Sequence, residues 1–124
     1  MGNGHRILIV DDNADAAELL ADRLRGVGWA VDLAHDGKGG LAAARSARCH
    51  VALVDLGLPD VDGFSVCRAL KGEQPGLHLV ALTGFSDPAS RDRASQAGFD
   101  RFLVKPIGLR EVVQVLEELV GTPS

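Results

Sequence analysis

Short runs of β-branched and other apolar residues recur along the chain at near-regular spacing. They are Ile7-Leu8-Ile9-Val10, Ala30-Val31-Asp32-Leu33, Val51-Ala52-Leu53-Val54, Leu79-Val80-Ala81-Leu82 and Phe102-Leu103-Val104. Runs this short and continuous predict strands buried on both faces. Between them the apolar positions repeat at helical spacing. Ala17, Leu20, Ala21, Leu24 and Val27 share one helix face, and Leu109, Val112, Val113, Leu116 and Val120 share another. Asn13, with Asp15 and Glu18 behind it, supplies a helix start, and Gly26 or Gly28 a stop. Gly37–Arg48 reads as an alanine-rich helix and Asp62–Lys71 as a third. Asp87–Ala97 is a fourth, with only small apolar residues, closed by Gly98.

Strand and helix thus alternate five times. That order predicts an α/β fold: a parallel five-stranded sheet with helices on both faces, because right-handed crossovers force the arrangement. The strand order 2-1-3-4-5 is the natural candidate for five such units. Periodicity alone does not fix it.

Composition narrows the picture. A length of 124 residues makes one domain, and 46% hydrophobic with 24% charged residues excludes a disordered chain. Runs such as Ile7–Val10 are too short to span a bilayer. The N-terminus has no apolar signal core, and Arg6 stands where a myristoylation motif needs Ser or Thr. A cytoplasmic location is expected, with no membrane contact. A net charge of −4, no tyrosine and 4% aromatics argue against a nucleic-acid surface. Cys49 and Cys67 form no CxxC and read as reduced, packed thiols. The four histidines are scattered, without the spacing of a histidine metal site.

In open parallel sheets, chemistry collects at the carboxyl ends of the strands. Here those ends carry Asp11-Asp12, Asp55, Thr83-Gly84 and Lys105-Pro106. In the candidate order these ends are neighbours. At an effective dielectric of about 20, two carboxylates ~5 Å apart repel by ~3 kcal/mol. Three of them beside a single lysine either take raised pKa values or bind a cation. Carboxylate oxygens favour Mg2+ or Mn2+ over Zn2+. The cluster suggests a metal-dependent phosphoryl site. Each feature taken singly has a plainer reading: a helix cap, a capping hydroxyl, a turn.

The segments Ile9–Asn13, Val54–Gly63, Ala81–Gly84 and Ala97–Pro106 together resemble the receiver domain of two-component response regulators. The resemblance runs from about Arg6 to Val120. It implies the CheY-like, flavodoxin-like (βα)5 three-layer sandwich with strand order 2-1-3-4-5. The receiver unit is then residues 5–121, with tails at 1–4 and 122–124. By similarity, Asp55 is the phosphoacceptor, taking a phosphoryl group from a phosphohistidine on a histidine kinase or a histidine phosphotransfer domain. Asp12 and Asp55, with the backbone carbonyl of Gly57, would hold Mg2+ (or Mn2+) directly. Asp11 would hold it through water or a second contact. Lys105 would pair with Asp55 at rest and with a phosphoryl oxygen afterwards, and Thr83 would donate its hydroxyl to another. Lys105-Pro106 resembles the family's cis peptide. Thr83 and Phe102 would form the switch that reshapes the face of the fourth helix, fifth strand and fifth helix for a downstream protein. Gly84 would keep the approach of the phosphoryl donor clear. A monomer or weak dimer is expected, and no enzyme activity beyond its own phosphorylation and dephosphorylation.

Three positions depart from common family choices. Gly57, two after Asp55, has no side chain to order water, and Phe85, two after Thr83, is bulky and apolar. The pair implies slower self-hydrolysis of the phosphate. Phe102, lacking a tyrosine hydroxyl, implies a weaker outward preference of the ring.

Other classes fit less well. A haloacid dehalogenase-type phosphatase needs a second Asp two residues after its nucleophile, where this chain has Gly57. A flavodoxin-like cofactor site needs a Ser/Thr/Gly-rich first loop, not Asp11-Asp12-Asn13-Ala14-Asp15. No GxGxxG follows the first strand, and Gly39 stands where a Walker A motif needs Ser or Thr. The same receiver could also serve within a hybrid histidine kinase, or as a phosphate sink in a relay.

Overall fold

The computed structural model describes residues 6–46, 48–84 and 88–122. Its elements alternate in the order β1 (Arg6–Val10), α1 (Ala14–Gly26), β2 (Ala30–Ala34), α2 (Gly37–Ser46), β3 (Val51–Asp55), α3 (Gly63–Glu73), β4 (His78–Thr83), α4 (Pro88–Ala97), β5 (Arg101–Val104) and α5 (Leu109–Val120). All strand pairs are parallel, and the sheet runs β2-β1-β3-β4-β5.

The period of two along each strand sorts the core into two halves. Ile7, Ile9, Leu53 and Leu82 pack against α1 and α5. Leu8, Val10, Val54 and Ala81 pack against α2, α3 and α4. The central strands β1, β3 and β4 are buried on both faces, as continuous apolar runs require. The outer strands differ from the expectation. β2 and β5 are only partly buried, because each has a neighbour on one side alone.

Local chemistry explains the helix ends. The Asn13 side chain accepts from the Ala16 amide and starts α1. The helix closes at Gly26, and Gly28 takes a φ of +105° that suits glycine. Val27 therefore caps the helix rather than extending its buried face, and it is exposed. Asp62 caps α3 from outside instead of lying within it, accepting from Ser65 N at 2.8 Å. That helix runs on to Glu73, ahead of Pro75, which cannot continue it. The α2 helix stops at Ser46, short of Arg48, and Gln74 Nε2 donates to the carbonyl of Ala44 near its end. Asp87, expected to open the fourth helix, lies outside the described residues.

The α4 helix is the least anchored of the five. It buries only Ala94 and Ala97, and a buried alanine contributes far less than the ~1.5–3 kcal/mol of a large aliphatic side chain. Its flanks are held by arginines. The Arg91 guanidinium lies 5.1 Å from the Phe102 ring centroid, and that of Arg93 lies 4.2 Å from Phe64.

Candidate functional site

Strand register brings the chemistry together. Val10 pairs with Val54, so Asp11 and Asp55 follow side by side at the ends of β1 and β3. Asp55 pairs with Leu82 and Thr83 with Val104, which sets Thr83 and Lys105 on the next strands. The Lys105 amide donates to the Thr83 carbonyl at 2.7 Å, extending the ladder one residue past β5. The Lys105-Pro106 peptide bond is cis, as the resemblance implied.

Among the described residues, the buried polar or charged side chains are Asp11, Asp55 and Thr83, all at this one spot. Asp12 is exposed and forms the open side. One carboxylate oxygen from each of Asp11, Asp12 and Asp55 lies within 4.8 Å of the others. Lys105 Nζ donates to Asp11 Oδ2 at 2.9 Å and to Asp55 Oδ2 at 3.0 Å. The other oxygen of each acid accepts a backbone amide: Asn13 N to Asp11 Oδ1 at 3.0 Å, and Gly57 N to Asp55 Oδ1 at 2.9 Å.

These surroundings divide the two buried acids. Burial pushes the Asp11 carboxyl above its ordinary value, by more than Lys105 and the Asn13 amide lower it. Burial pushes Asp55 the same way, but the Gly57 amide and Lys105 outweigh it and hold Asp55 below the usual range. For Lys105, burial is outweighed by its bonds to Asp11 and Asp55, which raise its pKa. Asp55 thus gives up its proton more readily than Asp11, although Lys105 bonds both. The donor set is all oxygen, and two of its carboxylates already share one ammonium. A small hard divalent ion is what such a set can accept.

The remaining expected residues fall into place unevenly. The amide of Gly57 bonds Asp55, and its residue is exposed. Among the described residues, a Cβ at Gly84 would meet nothing within 4 Å. Phe102 is half-buried and shares a sheet face with Thr83, two residues along the ladder. Phe85 lies outside the described residues. Both cysteines are free and buried, as expected of packed thiols.

Sequence reasoning missed two participants, His35 and Asp60, and one contact of Lys105. Lys105 was expected to pair with Asp55, but it bonds Asp11 equally closely. His35 Nδ1 lies 3.0 Å from the Asp11 carbonyl oxygen. Asp60 accepts from the amides of Gly37 and Lys38 at 2.8 and 3.0 Å. An acid in the loop after β3, facing a glycine-started helix, was the only signal for the last.

A (βα)5 sandwich with three acids, a hydroxyl and a lysine on adjacent strand ends defines a receiver-type signalling domain. Comparison with known proteins agrees. The response regulator receiver domain family matches residues 7–117, and the chain belongs to that family, within two-component systems. It is 38% identical over 114 residues to the probable transcriptional regulatory protein TcrX of Mycobacterium tuberculosis, covering 92% of this chain and 49% of that protein. It is 38% identical over 108 residues to the DNA-binding response regulator MtrA of Mycolicibacterium paratuberculosis, covering 87% and 48%. The chain spans about half the length of these relatives. Among solved structures, it matches a CheY-like receiver domain protein of Methanospirillum hungatei with a TM-score of 0.89 at 28% identity, covering 94% and 93%. It matches the Vibrio cholerae chemotaxis protein CheY4 with a TM-score of 0.90 at 25% identity, covering 94% and 99%. Among the described residues, no helix is long and apolar enough to cross a membrane.

Proposed function

We propose that residues 5–121 form the phosphoacceptor unit of a two-component phosphorelay, with Asp55 as the residue phosphorylated. The observation that carries this reading is the buried Asp55 held against Lys105 within an acidic cluster. The donor is a phosphohistidine on a histidine kinase or histidine phosphotransfer domain. A carboxylate oxygen of Asp55 attacks phosphorus, a P–O bond forms, the P–N bond breaks, and the imidazole leaves. Asp12, Asp55 and the carbonyl of Gly57 would hold Mg2+ (or Mn2+) directly, and Asp11 would hold it through water or a second contact. When bound, the ion offsets charge on the phosphoryl oxygens. Lys105 exchanges a carboxylate for a phosphoryl oxygen, and Thr83 donates its hydroxyl to another.

The phosphoryl group replaces the single negative charge of Asp55 with about two, and that change then drives the output. Thr83 moves toward the phosphate and the Phe102 ring turns inward. The α4-β5-α5 face changes shape for a protein partner. The weak anchoring of α4 supports this reading, since few buried contacts oppose its movement. The receiver itself makes no nucleic-acid contact in this reading; MtrA is named as DNA-binding, and the match covers 48% of it. The setting is the cytoplasm, and the receiver is a monomer or weak dimer.

The test is incubation with Mg2+ and acetyl phosphate, followed by intact mass. Wild type gains one phosphoryl group and Asp55→Asn does not. An equal gain in the variant would overturn the assignment.

A further inference from the structure

The turn between β2 and α2 touches both loops that carry the acids. At its first residue, His35 Nδ1 lies 3.0 Å from the Asp11 carbonyl oxygen, so Nδ1 carries the proton and donates. That carbonyl belongs to the Asp11–Asp12 peptide. Holding its plane sets the direction in which Asp12 leaves the strand. The Asp11 amide already donates to Ala34 O at 3.0 Å, so both sides of Asp11 are tied to the end of β2.

At its other end the turn opens α2, whose first four amides need acceptors. Gly39 N donates to Asp36 Oδ1 and Gly40 N to the Asp36 carbonyl. Gly37 N and Lys38 N instead donate to the two carboxylate oxygens of Asp60, at 2.8 and 3.0 Å. Asp60 belongs to the loop after β3 that contains Gly57 and leads to Asp62, the cap of α3. The approach is close. A Cβ on Gly37 would lie 2.0 Å from Val61 Cγ2, so only glycine lets the helix start reach this loop.

We propose that residues 35–38 are a brace between the Asp11-Asp12 loop and the Asp55–Gly57 loop, with His35 and Asp60 as positioning residues for the acidic cluster. Neither residue touches the reacting atoms. Their bonds set how far apart the two acid-bearing loops stand. The proposal rests on the reading that these acids hold a divalent ion, which needs its ligands at a fixed spacing. A plain helix cap at Asp60 would stabilise α2 and leave the acids untouched.

Two measurements on the whole chain separate these cases. The first is amide hydrogen exchange without metal. In Asp60→Ala, exchange should quicken at Gly37 and Lys38 and also at Gly57, whose amide serves Asp55. In His35→Ala it should quicken at Asn13, whose amide serves Asp11. Val112→Ala, a core change in α5 far from the turn, controls for general loss of stability and should not single out these amides. The second is Mg2+ affinity by titration calorimetry. Asp60→Ala and His35→Ala should each weaken it, by up to about tenfold. Asp60→Asn, which keeps one carbonyl acceptor, should recover part of the loss. If Asp60→Ala quickens only Gly37 and Lys38 and leaves Mg2+ affinity unchanged, the brace is overturned while the metal reading stands. If wild type takes up no Mg2+, the metal reading fails, and exchange at Gly57 and Asn13 alone decides the brace.

Discussion

Lys105 Nζ lies 2.9 Å from Asp11 Oδ2, a contact between residues 94 positions apart. The same ammonium touches Asp55 at 3.0 Å, so one cation balances acids from two strands. Replacing it with an uncharged chain leaves two adjacent buried carboxylates without a counter-charge. Lys105→Met should cost about 1–3 kcal/mol at neutral pH, measured by urea unfolding. The deficit should shrink below the carboxylate range, where both acids are protonated and no longer repel. A deficit independent of pH would show that packing, not charge, is what Lys105 contributes.

Asp12 is the exposed member of the cluster, with a carboxylate oxygen within 4.8 Å of those of two buried acids. Without a metal it adds repulsion that solvent only partly screens. Asp12→Asn should therefore stabilise the metal-free protein by about 1 kcal/mol. It should also remove the rise in Tm that Mg2+ gives the wild type by binding the folded state. Calorimetric scans with and without Mg2+ check both, and a persisting Mg2+ response would exclude Asp12 as a ligand.

The amides of Gly37 and Lys38 hold the Asp60 carboxyl below the usual carboxylate range. A depressed folded pKa stabilises fully above the unfolded value, and the contribution is lost as pH falls through the folded one. Wild type should thus exceed Asp60→Ala in Tm at neutral pH, and the two should converge on acidification below the ordinary carboxylate range. Parallel curves across that window would mean that the charge of Asp60 is immaterial.

Burial pushes the Cys67 thiol up to about 11, and its Sγ donates to the Ala97 carbonyl at 3.3 Å, at the last turn of α4. At pH 8 its thiolate fraction is then lower than that of a free cysteine by roughly a hundredfold. Native Cys67 should react slowly with iodoacetamide, followed by peptide mass. Phosphorylation at Asp55 should quicken the reaction as α4 loosens its hold on the thiol. Equal rates in both states would argue that α4 stays docked over Cys67.

Much of this protein was legible before its coordinates. The five apolar runs became the five strands, and Asn13 became the cap of α1, because these signals are local. Asp11, Asp12, Asp55, Thr83 and Lys105 could be placed at strand ends for the same reason. What failed was also physical. The run at 102–104 looks as apolar as the central ones, and that at 30–33 is broken only by Asp32, yet both form edges, since burial depends on neighbours that local pattern does not reveal. Val27 fits the helical period, but the helix ends one residue earlier.

Residue pattern therefore decided which elements form and which chemistry stands at their ends, since hydrophobic period and capping act over a few positions. The tertiary structure decided who meets whom. It gave Lys105 a second acid, divided Asp11 from Asp55 in proton affinity, and tied Asp60 to the start of α2. Those outcomes depend on distances of a few ångströms between distant segments, and Coulomb forces and hydrogen bonds answer to that separation, not to place in the chain.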